Sequence, residues 1–96
     1  MLDLGVFANG ELIESGTFAD IETSGVYGYN KDRHTASDAP ANYGILFVEN
    51  GGYASGGVPI SQIFIDSNGR IYTRIKSAWS SYVYTNWKEC TTQPLA

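Results

Sequence analysis

The stretch VPISQIFIDSNGRIYTRIK, Val58 to Lys76, constrains the chain most, because its strand register can be worked out residue by residue. Two β-forming runs flank Asn68-Gly69, a strong hairpin turn signal. A two-residue turn on those positions pairs Ser67 with Arg70 and mixes aliphatic, aromatic and charged side chains on both faces. A three-residue loop, with Gly69 left-handed in a bulge, pairs Asp66 with Arg70, Phe64 with Tyr72 and Gln62 with Arg74. One face then holds Ser61, Ile63, Ile65, Ile71, Thr73 and Ile75; the other holds Ile60, Gln62, Phe64, Tyr72, Arg74 and Lys76. A one-residue slip reverses every side chain, so the cleaner sorting selects the second register. Hydropathy then predicts that the aliphatic face packs inward and that the aromatic, hydrogen-bonding face looks out.

The rest of the chain fits around this hairpin. Residues 17–23, TFADIET, permit one short helical turn that Ser24-Gly25 breaks. Gly25 to Asn30 reads as a short strand, with Gly28 marking a bulge or a close approach. Residues 30–42, NKDRHTASDAPAN, have no periodicity and predict a long surface loop of the kind that often carries function. Tyr43 to Glu49 is a nearly continuous apolar run, as expected of a central strand. The segment SSYVYTNW predicts a last strand, with Trp79, Ser81, Val83, Thr85 and Trp87 on one face and Tyr82 and Tyr84 on the other. Leu4, Val6, Leu12 and Ile13 flank Asn9-Gly10, a small hairpin or a connecting stem. The expected fold is mostly β: a small antiparallel sheet or sandwich-like knob with long loops and at most one short helical turn. Its parts are a stem or linker over 1–16, the domain over 17–90, and a fraying tail over 91–96.

Composition narrows the function classes. The 96 residues allow one domain. Charged residues make up only 17% and the formal net charge is −4, which argues against a phosphate-tracking groove and so against a nucleic-acid partner. The surface must instead rely on Ser, Thr, Asn, Gly and Tyr, which suit sugars or other proteins. One cysteine, Cys90, excludes an intrachain disulfide or a cysteine-based zinc cage and reads as a reduced, semi-buried thiol. No apolar run is long enough for a membrane-spanning helix, and MLDLGVFANG lacks the basic region and apolar core of a secretory signal.

Three pieces in order carry a resemblance: ADIETSGVYGYN (19–30), ASDAPANYGILFVEN (36–50) and ISQIFIDSNGRIYTRIKSAWSSYVYTNWKEC (60–90). Gly-Val-Tyr is followed by Ala-Pro before an apolar strand, then by a Gln-containing strand, Ile-Tyr-x-Arg and two closing tryptophans. The set resembles the knob domain of R-type pyocin tail fibres, which recurs in bacteriophage and prophage tail fibres. The matching positions are Gly25, Tyr27, Pro40, Gln62, Tyr72, Arg74, Trp79 and Trp87. The spacing of the two tryptophans by SSYVYTN is longer than the family's tight ending. The resemblance implies a β-rich module of a virion tail fibre, usually a homotrimer, that recognises bacterial surface polysaccharide or lipopolysaccharide.

The candidate ligand-binding residues are Gln62, Phe64, Tyr72, Arg74, Trp79, Tyr82 and Tyr84. Gln62 and Arg74, flanked by Phe64 and Tyr72, present either a polar pair to a sugar or a cross-strand hydrogen bond that holds the sheet or a neighbouring subunit. Trp79, Tyr82, Tyr84 and Trp87 offer stacking faces for a pyranose, against the alternative that the tryptophans fill the core. Asp32, His34 and Asp38 are a weak metal or acid–base cluster that a polar loop would ordinarily solvate. Residues 52–57, GYASGG, lack the Lys-Ser/Thr of a phosphate loop. No catalytic residue, metal site or cofactor is expected. The leading expectation is a non-catalytic receptor-binding module; a trimerising spacer and a carbohydrate-binding module of a larger enzyme are the alternatives.

Overall fold

A computed structural model describes residues 10–52 and 58–91. Among the described residues, six strands form one sheet in sequence order: β1 (Glu11–Leu12), β2 (Gly25–Asn30), β3 (Tyr43–Asn50), β4 (Ile60–Asp66), β5 (Ile71–Lys76) and β6 (Lys88–Cys90). The β1–β2 pairing is parallel and the others antiparallel, so the protein is mostly β around a single mixed sheet. Short 3-10 turns occupy Phe18–Asp20, inside the segment expected to make a helical turn, and Ala78–Ser80. The loop from 31 to 42 carries no strand or helix, and β3 lies at the centre of the sheet, both as the sequence implies.

The β4–β5 hairpin takes the three-residue register. Ile65 pairs with Ile71, Phe64 with Tyr72 and Gln62 with Arg74. Asp66 N–H donates to Arg70 O (2.9 Å) and Gly69 N–H to Asp66 O (2.9 Å). Gly69 sits at φ 84°, the left-handed position the bulge requires. The Asp66 carboxylate closes the loop by accepting from the N–H groups of Asn68 and Arg70, both at 2.9 Å.

The expected orientation of that hairpin is reversed. Ile60, Gln62, Phe64 and Arg74 are buried, and the aliphatic side faces out, with Ile45 45%, Ile63 38% and Ile75 41% exposed. The cause lies in the segments outside the hairpin. Phe18, Ile13 and Ala36 fold over the aromatic side and pack with Tyr29, Leu46, Val48, Ile60 and Phe64. Phe18 meets Tyr29 edge-on at 4.9 Å and Phe64 at 5.5 Å between ring centroids. Gln62 and Arg74 find partners in those same segments, which offsets the cost of burying them, while among the described residues the Tyr84 hydroxyl and Asn50 Oδ1 are buried without one.

By register, the open face carries Gly28, Ile45, Ile65, Ile71 and Cys90 in one cross-strand row and Val26, Phe47, Ile63, Thr73 and Lys88 in the next. Glu49, Ser61 and Ile75 form a third row.

Three further expectations change. The final strand is not SSYVYTNW: residues 77–83 turn, Tyr84 makes an isolated bridge to Lys76, and pairing resumes only at Lys88. Part of the proposed stem belongs to the domain, because Glu11–Leu12 join the sheet and Ile13 is buried. Cys90 is exposed rather than semi-buried, since β6 is an edge strand. The strand residues proposed at Leu4 and Val6, most of GYASGG and the tail after 91 lie outside the described residues.

Candidate binding site

Gln62 organises the covered face. Its side-chain amide donates to Phe18 O (2.7 Å) and Ile21 O (3.3 Å), and its Oε1 accepts from Arg74 Nε (2.8 Å). Arg74 Nη2 then reaches Asp38 Oδ2 at 2.9 Å, from the middle of the long loop. Asp38 also accepts from the N–H groups of Phe18 (2.8 Å) and Ala19 (2.9 Å), which caps the 3-10 turn. Burial pushes the Asp38 carboxyl up, but the bonds from Arg74, Phe18 and Ala19 and the guanidinium charge outweigh it and hold its pKa below the ordinary value.

The guanidinium also lies against two aromatic rings. Its carbon lies 4.2 Å from the Tyr84 ring centroid and 4.4 Å from that of Trp87. Trp87 Nε1 donates to Asp38 O (2.7 Å). These contacts explain why 84–87 does not run as a strand: Tyr84 and Trp87 both turn toward Arg74, which strict strand alternation does not allow. Burial shifts the Tyr84 hydroxyl pKa upward, opposed by the Arg74 charge.

The clamp pins one end of a tight turn. Thr85 N–H donates to Ile75 O (2.8 Å), and Ile75 N–H donates to Thr85 Oγ1 (3.2 Å). Between Lys76 and Tyr84, Tyr82 N–H bonds Ser77 O (3.0 Å) and Ser81 N–H bonds Ala78 O (3.2 Å). That pair of bonds is the Schellman closure of a helical turn. The closure puts Ser81 at φ 58° and Tyr82 at φ 63°, left-handed positions that ordinarily favour glycine. The result is a strained tip on which Trp79 is 99% and Tyr82 51% exposed. Strain of this kind concentrates where a protein presents a side chain for use.

The candidate residues therefore divide. Gln62, Phe64, Arg74 and Tyr84 meet in the covered layer, and Gln62 and Phe64 have no surface to offer an external ligand. The outward-facing arrangement of the Gln62/Arg74 pair is corrected: it is a buried cross-strand bond. Trp79 and Tyr82 stand together on the exposed tip. Tyr72 packs at the margin of the covered layer, its ring 6.5 Å from that of Phe64, with its hydroxyl 3.4 Å from Asp66 Oδ2 on a shallow cleft of about 530 Å³ that it shares with Pro40, Tyr43 and Arg70. Tyr43, a residue the sequence does not single out, is exposed there and donates to Asp32 Oδ2 (3.2 Å).

Asp32, His34 and Asp38 do not converge. His34 Nε2 donates to Gly16 O (2.7 Å), while Asp38 serves Arg74. Among the described residues no three His, Cys, Asp or Glu side chains gather as metal ligands, and no helix is long and apolar enough to cross a membrane. The sequence signal for Asp38 as the partner of Arg74 was an arginine within a β-strand, which needs a carboxylate if its face is buried. None of the family models, curated proteins or solved structures compared with the chain matches it.

Proposed function

We propose that the chain is a non-catalytic binding module that captures a bacterial surface glycan on its aromatic tip, as the receptor-recognition part of a phage or prophage tail fibre. The observation that carries the binding reading is Trp79, 99% exposed on a turn that keeps two non-glycine residues left-handed. A fully exposed indole and a half-exposed phenol on the same turn offer stacking faces for a sugar ring together with a hydroxyl for hydrogen bonding. Low charge supports a neutral polyhydroxylated ligand over a polyanion. The tail-fibre setting rests on the ordered resemblance of residues 19–90 to the pyocin knob domain.

Binding of the chain to intact bacteria and to purified polysaccharide or lipopolysaccharide tests this reading. Saturable binding is expected, with a loss of about tenfold or more in Trp79→Ala, equivalent to about 1.4 kcal/mol. Binding unaffected by loss of both Trp79 and Tyr82 rejects the tip as the site. The spacer reading has its own support in the uncovered aliphatic face.

A further inference from the structure

Away from the aromatic tip lie two other kinds of surface. One is the bare aliphatic face of the sheet. The other is the cleft of about 530 Å³ where the long loop ends beside the hairpin loop at 67–70, with Asn42, Tyr43, Asp66, Arg70 and Tyr72 in its walls. That volume lies within the range of small-molecule sites. The six residues of β5 separate the cleft from the tip by roughly 17 Å.

One carboxylate oxygen in the cleft is buried and underused. Asp66 is only 7% exposed. Its Oδ1 accepts from the N–H groups of Asn68 and Arg70, both at 2.9 Å, and so closes the loop. Among the described residues its Oδ2 has only the Tyr72 hydroxyl, at 3.4 Å, which is long for a bond between oxygens. Against the upward push of burial, the loop N–H groups, the Tyr72 hydroxyl and the Arg70 charge hold the carboxyl pKa below its ordinary value. At neutral pH the group is therefore ionised and can only accept. A buried acceptor with spare capacity calls for a donor from outside the chain.

We propose that this cleft binds one pyranose unit of a neutral sugar through two adjacent hydroxyls, one donating to Asp66 Oδ2 and the next accepting from the Arg70 guanidinium. Arg70 is exposed, and among the described residues its guanidinium makes no ion pair. A carboxylate beside a guanidinium asks for a donor and an acceptor on neighbouring atoms, which a vicinal diol supplies. The two charges cancel, so neither an anion nor a cation gains by entering. Tyr43, 41% exposed, brings an aromatic ring to the rim, and the side-chain amides of Asn42 and Asn68 can serve further hydroxyls. The proposal rests on the reading of the chain as a glycan-binding module. It adds a second subsite of different chemistry, hydrogen-bonding where the tip stacks.

Amide nitrogen–proton correlation spectra of the chain, titrated with the methyl pyranosides of glucose, mannose, galactose and N-acetylglucosamine to millimolar concentration, test it. At least one of these sugars is expected to move the signals of Asn68, Arg70 and Tyr72 saturably. Tyr43→Ala and Arg70→Ala alter exposed side chains, and each should weaken that response about tenfold while the rest of the spectrum stays in place. Shifts confined to residues 78–82 uphold the tip and overturn the cleft, whereas shifts confined to the cleft uphold it and count against the tip. A spectrum that none of the four sugars changes overturns the cleft, and binding to intact bacteria then decides the tip separately. Cleft shifts that survive both substitutions also overturn the proposal.

Discussion

Arg74 stands in a strand with almost no water to hydrate its guanidinium, and three different kinds of contact replace that water. Gln62 and Asp38 take its N–H groups, while the rings of Tyr84 and Trp87 pack against it. Removing one partner of a buried pair strands the other charge, so Asp38→Asn is expected to cost about 3 kcal/mol in urea denaturation. Arg74→Lys keeps the charge but loses the bond to Gln62 and the flat stacking surface. It should lower stability by about 1–3 kcal/mol and loosen the tip, weakening ligand binding although Trp79 is untouched. Gly44 makes a separate point. A Cβ there would strike the carbonyl oxygen of Ile65 and come within 2.7 Å of Phe64 Cζ, so Gly44→Ala should cost about 1–3 kcal/mol by overpacking.

At the scale of elements, the tip and the hairpin show how far sequence reasoning reaches. Turn chemistry at Asn68-Gly69 and the parity of β4 and β5 determine which residues share a face, and both were legible. Which face is covered was not. Hydropathy favours the isoleucines for the inside, yet the decision belongs to the 3-10 turn and the long loop, which bring Phe18 and Asp38 to Gln62 and Arg74. Those contacts join residues 36 and 44 positions apart in sequence, beyond any local pattern. The tip escaped for a related reason: the alternation in SSYVYTNW suggests a strand, but the pull of Arg74 on Tyr84 and Trp87 breaks it. Ser81 sits where a helical turn usually ends in glycine, so Ser81→Gly should stabilise the chain by about 1 kcal/mol in thermal or chemical denaturation. A loss of stability there would contradict the left-handed closure.

For the molecule as a whole, covering one face of a single sheet with loops has an electrostatic consequence. Asp38 and Asp66 both have pKa values held below the ordinary one, in Asp66 because the loop N–H groups, the Tyr72 hydroxyl and the Arg70 charge overcome the upward push of burial. A carboxyl depressed in the folded state contributes stability above its unfolded value and loses it as the pH falls through the folded value. Stability should therefore hold above about pH 5 and fall below about pH 4, and Asp38→Asn should flatten that slope. The bare face gives the molecule a second kind of surface, apolar and extended, beside the small aromatic one at the tip.

Ile63 and Phe64 are neighbours in β4 that point to opposite sides of the sheet, and comparing them tests the assignment of the two faces most directly. Urea denaturation of Ile63→Ala and Phe64→Ala, at concentrations where the chain is monomeric, should give a cost of about 3–5 kcal/mol for Phe64 and less than about 1 kcal/mol for Ile63. The opposite order would contradict the account, because it would place the aliphatic row inside and Gln62 and Arg74 in water.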